Sequence, residues 1–376
     1  MGEIMSAKRF LKWQLSALMV LIWLGVAAAQ SGAPYAIAPS NPYQSSIQQA
    51  QALVDSHRAV VKIPGMSVSV AVHGKIVWSQ GFGFADVENR TMVTPLTKFR
   101  IGSVSKTLTA SALALLYEQG KLDLDAPVQT YVPAFPTKRW PISTRQVAGH
   151  LAGIRHYRNL EFLMAKKFDS VTESLEIFKD DTLLFEPETA YSYSSYGWNL
   201  ISAVVEGASG EDFLPFMYEN VFWPLGMFET VADHNDSLIA YRSDFYQRDE
   251  KGNLQNAPYV DNSYKWAGGG FLATTRDLVR FGSAHMQGGF LKQQTLDLFQ
   301  TPMHTKNGKN THYGFGWVSR TDEAGRHWVG HSGGSVGGTA FLIIYPESGV
   351  VVGILSNESS ARYNDLPQTL AGLFIQ

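Results

Sequence analysis

A mixed α+β fold, with one antiparallel sheet assembled from both chain ends, is the architecture this sequence predicts. Three observations predict it. Runs that alternate apolar with small or polar residues, or are simply apolar, lie near the start at 66–72 and 75–84. Others lie near the end at 314–318, 327–330, 339–345 and 350–356. Between the two groups, helical patterns predominate from 144 to 225. Finally, 376 residues at 45% hydrophobic and 17% charged content describe a globular chain, long enough for a core and for about two sub-domains at roughly 150 residues each. Helices should flank the sheet, and an all-helical insertion should separate its two halves.

The elements follow in order. Lys8, Arg9 and Lys12 precede an apolar run over 13–26 interrupted only by Gln14 and Ser16, and Ala27, Ala28 and Ala29 stand before Gln30. This is a secretory signal pattern. Its apolar run falls short of the roughly 20 residues a spanning helix needs. Residues 1–29 are therefore expected to be cleaved, which makes the protein exported, periplasmic or secreted, with no stable membrane anchor. Residues 30–43, rich in Ser, Pro, Gly and Tyr, read as a linker. Ile47, Ala50, Leu53 and Val54 give the spacing of an amphipathic helix to residue 61. The runs on either side of His73 and Gly74 read as a hairpin. A helix is expected from about 104 to 119, stopped by Gly120.

Pro127, Pro133, Pro136 and Pro141 then punctuate an extended stretch. Residues 230–265 show no period and read as loops, and a helix over 366–374 closes the chain. The expected catalytic domain covers 44–376, with 44–118 and 267–376 in the sheet sub-domain and 119–266 in the helical one.

Composition excludes several classes. With 31 Lys and Arg against 33 Asp and Glu, the formal charge is -2, and loss of residues 1–29 would leave 28 against 32. No basic field exists to attract nucleic acid. There is no cysteine, so disulfides, thiolate metal sites, a cysteine nucleophile and Cys lipidation are all ruled out.

Chemistry first shows at Ser103 and Lys106, where the predicted helix opens. Residues three apart share a helix face. A serine hydroxyl becomes a nucleophile when a neighbour takes its proton, and a lysine held neutral can do so. A helix start also offers backbone N–H groups to a developing oxyanion. Taken alone, the pair reads equally as an N-cap and a solvated charge. Two further stretches change that: Tyr193-Ser194-Ser195, and Gly330-His331-Ser332-Gly333-Gly334 ahead of the 339–345 run.

In this order and spacing, Ser103-x-x-Lys106, Tyr193-x-Ser195 and His331-Ser332-Gly333 resemble the serine β-lactamase and penicillin-binding-protein superfamily. Within it the chain is most similar to the class C branch, which includes DD-peptidases, family VIII esterases and a mitochondrial β-lactamase-like protein of animals. The stretches 99–127, 150–157 and 267–282 share the likeness, which runs from about residue 44 to the end. The resemblance implies a β-lactamase/transpeptidase-like fold and a serine hydrolase acting through an acyl-enzyme, with no cofactor or metal. Its substrate would be a small molecule or peptide, most readily a peptide or amide bond, with possible β-lactam turnover. A carboxylesterase of the family VIII type and a filament-forming scaffold with weak or no activity are the alternatives.

Residue by residue, the resemblance makes Ser103 the nucleophile, Lys106 its base and Tyr193 the proton shuttle to the leaving group. His331 would stand where many relatives have lysine, holding substrate and setting the Tyr193 proton. The N–H groups of Ser103 and Gly334 would form the oxyanion hole, with Ser195, Ser332 and Gly333 around the substrate. Ser195 departs from the asparagine commoner there, shortening the polar reach. No counterpart of the deacylating glutamate of class A enzymes is visible.

Three other patterns are weaker. Residues 330–334 match G-x-S-x-G, but that motif needs a helix after the serine and a downstream histidine. His327 and His331 lack any H-E-x-x-H context. His150 and His156, flanking Gly153, read as structural hydrogen-bonding residues, and Gly268 to Gly270 as a close backbone approach near the site.

Overall fold

The computed structural model describes residues 41–286 and 288–375. The signal segment expected over 1–29 and most of the 30–43 linker lie outside them. Helix α1 (Gln44–Val61) leads into the hairpin of β1 (Gly65–Val72) and β2 (Lys75–Asp86). The turn falls at His73 and Gly74, whose positive φ angles of 47° and 79° match the two-residue turn that suits strand twist. A short β3 (Thr91–Met92) edges the hairpin, and β4 (Phe99–Arg100) follows.

One 3-10 turn, Gly102–Val104, then runs straight into α2 (Ser105–Glu118). This helix is buried nearly all round, as its Ala- and Leu-rich sequence requires of a core helix. Each of Leu108, Leu113 and Leu116, essentially unexposed, contributes about 1.5–3 kcal/mol by leaving water. The helix stops as Gly120 predicts. Gly120 has φ 69°, its N–H bonds the Tyr117 carbonyl and the Lys121 N–H bonds that of Leu116, the Schellman pattern.

The middle of the chain is more irregular than its sequence pattern suggests. Helices α3 (Thr144–Ala148), α4 (Val171–Ser174) and α6 (Phe213–Met217) are short, and only α5 (Ser195–Ser209) is long among those described there. Serine caps start α3, α4 and α5, with Ser143 and Gln146 in a reciprocal box at α3, but the segments between them bond through side chains instead. Arg155 alone bonds Glu161, Asp181 and the carbonyls of His156 and Ile177. Three short strands also lie here: β5 (Val231–Ala232), β6 (Tyr246–Arg248) and β7 (Leu254–Asn256). The insertion is thus not all-helical. The 230–265 stretch is otherwise loop, as its lack of period indicates.

Beyond it come α7 (Trp266–Gly269), β8 (Phe271–Ala273), α8 (Thr275–Ala284), α9 (Gln293–Gln300), β9 (Val318–Thr321), β10 (His327–Ser335), β11 (Gly338–Tyr345), β12 (Val350–Ser356) and α10 (Leu366–Gly372). The expected strand at 314–318 begins only at its last residue. A Cβ on Gly314 would meet the Phe299 carbonyl at 2.3 Å, and Gly316 holds φ 78° beside Trp198, so this stretch is a tight loop. The strand run read over 327–330 continues through the Gly-rich 331–335 segment as β10 and pairs with β11; the chain turns at Val336 and Gly337.

The large sheet is antiparallel, ordered β3-β2-β1-β12-β11-β10-β9. Its centre joins the chain's two ends, with Val352 opposite both Val70 and Ile343. Helix α8 packs on β1 and β12. The hydroxyls of Ser67 and Ser69, buried within β1, bond the Thr275 hydroxyl at 2.9 and 2.8 Å, so these polar groups are satisfied where they stand.

Candidate active site

Between the sheet and the insertion lies a cavity of about 290 Å³ with Ser103 on its wall. The 3-10 turn places that serine. Gly102 sits at φ 48°, and a Cβ there would come within 2.5 Å of the Gly334 carbonyl oxygen. Only glycine lets the nucleophile's turn lie this close to β10. Lys106, one turn on in α2, is wholly buried. Its Nζ is 3.0 Å from Ser103 Oγ, 3.3 Å from Ser195 Oγ and 2.7 Å from the Gly268 carbonyl. Burial pushes its pKa well below the ordinary 10.5, and the nearby Lys265 pushes it further. A lysine with no carboxylate partner in such a place tends to the neutral form, a base.

Tyr193 and Ser195 enter from the start of α5 and line the same cavity. Ser194 caps the helix by accepting from the Gly197 N–H at 3.0 Å. The two histidines read as structural are used that way. His150 Nδ1 accepts the Ser194 N–H and His156 Nδ1 accepts the Ser195 N–H, each at 3.1 Å. Burial lowers the pKa of both, that of His156 to about 4, so they stay neutral acceptors. Burial raises the Tyr193 pKa, against hydrogen bonding from Ser103 and Ser195, so its phenol keeps its proton. Of the neighbouring tyrosines, Tyr196 points elsewhere, donating to Glu161 at 2.9 Å, and Tyr191 is absent from the cavity wall.

On β10 the expected residues part company. Gly334 lines the cavity. Ser332, two residues back on the same strand face, is exposed and outside the cavity wall. Gly333 faces the other way, where a Cβ would meet the Ile101 carbonyl at 1.9 Å. His331 does not present a substrate-holding charge. Its Nε2 accepts from the Tyr313 hydroxyl at 2.9 Å and its Nδ1–H donates to the Ser332 carbonyl. Burial and Lys106 hold its pKa near 3. This imidazole has both nitrogens engaged. The G-x-S-x-G reading also lapses, because strand follows Ser332 where an elbow needs helix.

Tyr157, Phe162 and Lys265 complete the wall, and the sequence reading singled out none of them. Tyr157 stands within the 150–157 stretch, a signal of position inside a shared motif, whereas Lys265 lies two residues before the 267–282 stretch and outside it. Burial pushes the Tyr157 phenol up to about 12. As for metals, Asp86, Glu88 and Asp244 bring carboxylates within 4.8 Å of one another, away from this cavity. They form an acidic cluster of a kind common without an ion.

The arrangement can activate a hydroxyl beside a neutral amine, supply a phenol proton, and hold a carbonyl oxygen near a turn and a strand edge. A family model described as Beta-lactamase matches residues 50–371. The human Serine beta-lactamase-like protein LACTB, mitochondrial, is 34% identical over 442 residues, covering 88% of this chain and 80% of that protein. The octameric penicillin-binding protein homologue from Pyrococcus abyssi superposes with a TM-score of 0.74 at 25% identity, over 87% of this chain and 76% of its own. EstCE1, a hydrolase with promiscuous acyltransferase activity, shares the fold with a TM-score of 0.76 at 21% identity, over 89% and 99% of the two chains.

Proposed function

The chain belongs to the Beta-lactamase family, and from that premise we propose that it is a serine hydrolase forming an acyl-enzyme on Ser103. The observation that carries the reading is the 3.0 Å approach of Lys106 Nζ to Ser103 Oγ, in a site where burial favours the neutral amine. The Ser103 hydroxyl adds to the substrate carbonyl as its proton passes to Lys106 Nζ. The carbonyl oxygen, now an anion, faces the N–H groups of Ser103 and Gly334. Tyr193 gives its proton to the departing amine or alkoxide and recovers one from Lys106. Water then adds to the ester on Ser103, losing a proton to the same Lys106–Tyr193 pair, and the acid leaves with Ser103 restored. Peptide or amide bonds are the proposed substrate class, with β-lactams as slow acylating analogues and esters as the alternative. Ser195 supports Lys106 with a hydroxyl at 3.3 Å, where an amide could reach further into the cavity. That difference favours substrates needing no acylamido contact.

The test incubates purified protein with a fluorescent penicillin and, separately, a fluorophosphonate, beside Ser103→Ala. Both labels should appear on the wild type and vanish in the variant, with the penicillin label turning over slowly. Fluorophosphonate labelling alone would move the reading to an esterase. Label persisting without Ser103, or none in either channel, would overturn it.

A further inference from the structure

The cavity wall holds a cation that the proposed chemistry leaves unused. Lys265 ends the 3-10 turn Ser263–Lys265 and is 2% exposed, yet it lines the same cavity as Ser103, Tyr193 and Gly334. A buried ammonium is costly unless paired. Among the described residues no carboxylate lies within ion-pairing distance of it. The acid it feels most, Asp233, is already held by Arg100 at 2.6 Å and Asn262 at 2.7 Å, with Arg242 at 3.6 Å. Its nearest recorded partners are the rings of Phe162 and Tyr264, 4.6 and 5.2 Å from Nζ. The neighbouring Lys106 amine is occupied by Ser103, Ser195 and Gly268. On β10, His331 is neutral with both nitrogens spent.

We propose that Lys265 is the substrate-recognition cation of this site, and that it selects carbonyl substrates carrying a carboxylate. The inference rests on the serine-hydrolase reading of the same cavity and deepens it. Three features support it. The ammonium is unpaired, it is walled by apolar and aromatic side chains where a single charge contact is strong, and it shares the cavity with the reacting hydroxyl. A carboxylate arriving there would complete the missing ion pair. The recognition charge would thus come from the wall that precedes α7, and not from the strand position where His331 stands.

The charge on Lys265 depends on pH. Burial and then the nearby Arg100 lower its pKa to about 7, with Asp233 opposing them. His156, Tyr157 and Tyr193 share the cavity with it; the histidine is neutral above about pH 4, burial keeps both phenols protonated, and Lys106 behind Ser103 is pushed well below the ordinary 10.5. On that wall Lys265 is the group that loses its charge near pH 7, and anion recognition should be strongest on the acid side.

Two measurements decide the matter. On Ser103→Ala protein, saturation-transfer NMR compares phenylacetate with the neutral phenylacetamide, with Lys265 present and in Lys265→Met and Lys265→Arg forms. Phenylacetate should be preferred at pH 6, lose the preference by pH 9, lose it throughout in Lys265→Met, and keep it to higher pH in Lys265→Arg. On enzyme with Ser103 intact, hydrolysis of 4-nitrophenyl hydrogen adipate is compared with that of its methyl ester, a pair differing in one charge. At pH 6 the acid should be preferred by about tenfold or more in kcat/KM, as a charged hydrogen bond of ordinary strength allows, and Lys265→Met should bring the ratio to near unity. A ratio cancels any change in the basicity of Lys106. No preference with Lys265 present, or a preference surviving in Lys265→Met, overturns the inference. Absence of turnover on both esters counts against the hydrolase reading, while the NMR comparison still decides for or against Lys265.

Discussion

At the scale of residues, two buried lysines stand at the site, Lys265 on the cavity wall and Lys106 behind Ser103, and they differ in what surrounds them. Lys106 is bonded to two hydroxyls and a carbonyl; Lys265 has aromatic faces and no acid. Each lowers the other's affinity for a proton in principle, and Lys265 is the charge that pushes the Lys106 pKa down after burial has done so. Lys106 must be neutral to take the Ser103 proton, so kcat/KM on a neutral ester should rise with pH along one limb. Removing the Lys265 charge lets Lys106 hold its proton more firmly. In Lys265→Met the limb should therefore move to higher pH, by roughly half a unit to one unit for loss of a nearby like charge. His331, near pKa 3, and His156, near 4, should add no step around pH 6.5. A profile from pH 4 to 9 checks both points; an unmoved limb would separate the two lysines energetically.

At the scale of elements, the site is the meeting of a turn, a helix start and a strand, and glycines set how closely they meet. On β10, neighbouring glycines make opposite demands. A Cβ on Gly333 would lie 1.9 Å from the Ile101 carbonyl, directly before the nucleophile's turn, whereas one on Gly334 meets nothing within 4 Å. Gly333→Ala should force the strand and the turn apart, lower the melting temperature by several degrees and slow fluorophosphonate labelling of Ser103 at least tenfold. Gly334→Ala should melt as the wild type does and affect only what enters the cavity. Equal melting temperatures for the two variants would refute this account of the contact. The same contrast explains what was legible in advance. Ser103 and Lys106 were legible as a pair three apart on one helix face, and Tyr193 and Ser195 through the motif order that carries the family resemblance. The course of 331–335 was not legible, because a glycine run suits a turn locally and is strand here only because Ile101 and β11 lie on either side of it. Lys265 was hidden for a related reason: a lysine's burial is decided by distant segments, here Phe162 and Arg100, and nothing in its immediate sequence reports them.

At the scale of the molecule, the antiparallel sheet from both chain ends was legible because its strands carry their own period. The expected division into a sheet sub-domain and an insertion rests on weaker patterns, since short capped helices and side-chain-held loops carry little period. What joins the two regions is long-range and polar. Arg100, beside the nucleophile's turn in β4, bonds Asp233 at 2.6 Å, the Val336 carbonyl of the β10–β11 turn at 2.8 Å, and lies 3.7 Å over the Phe245 ring. Both charged side chains are buried, at 4% and 0% exposure. Such a pair is weak evidence of net stabilisation, but removing one partner strands the other. Asp233→Ala should therefore cost about 3–5 kcal/mol, leaving Arg100 charged and buried between the insertion and the sheet. The form of the loss is the more informative outcome. If the pair couples the two regions, calorimetry should show a single transition moved to lower temperature, with the Ser103 label lost in the same range. Two transitions, one unmoved, would mean that the sheet and the 119–266 insertion unfold independently and that Arg100 serves only its own strand.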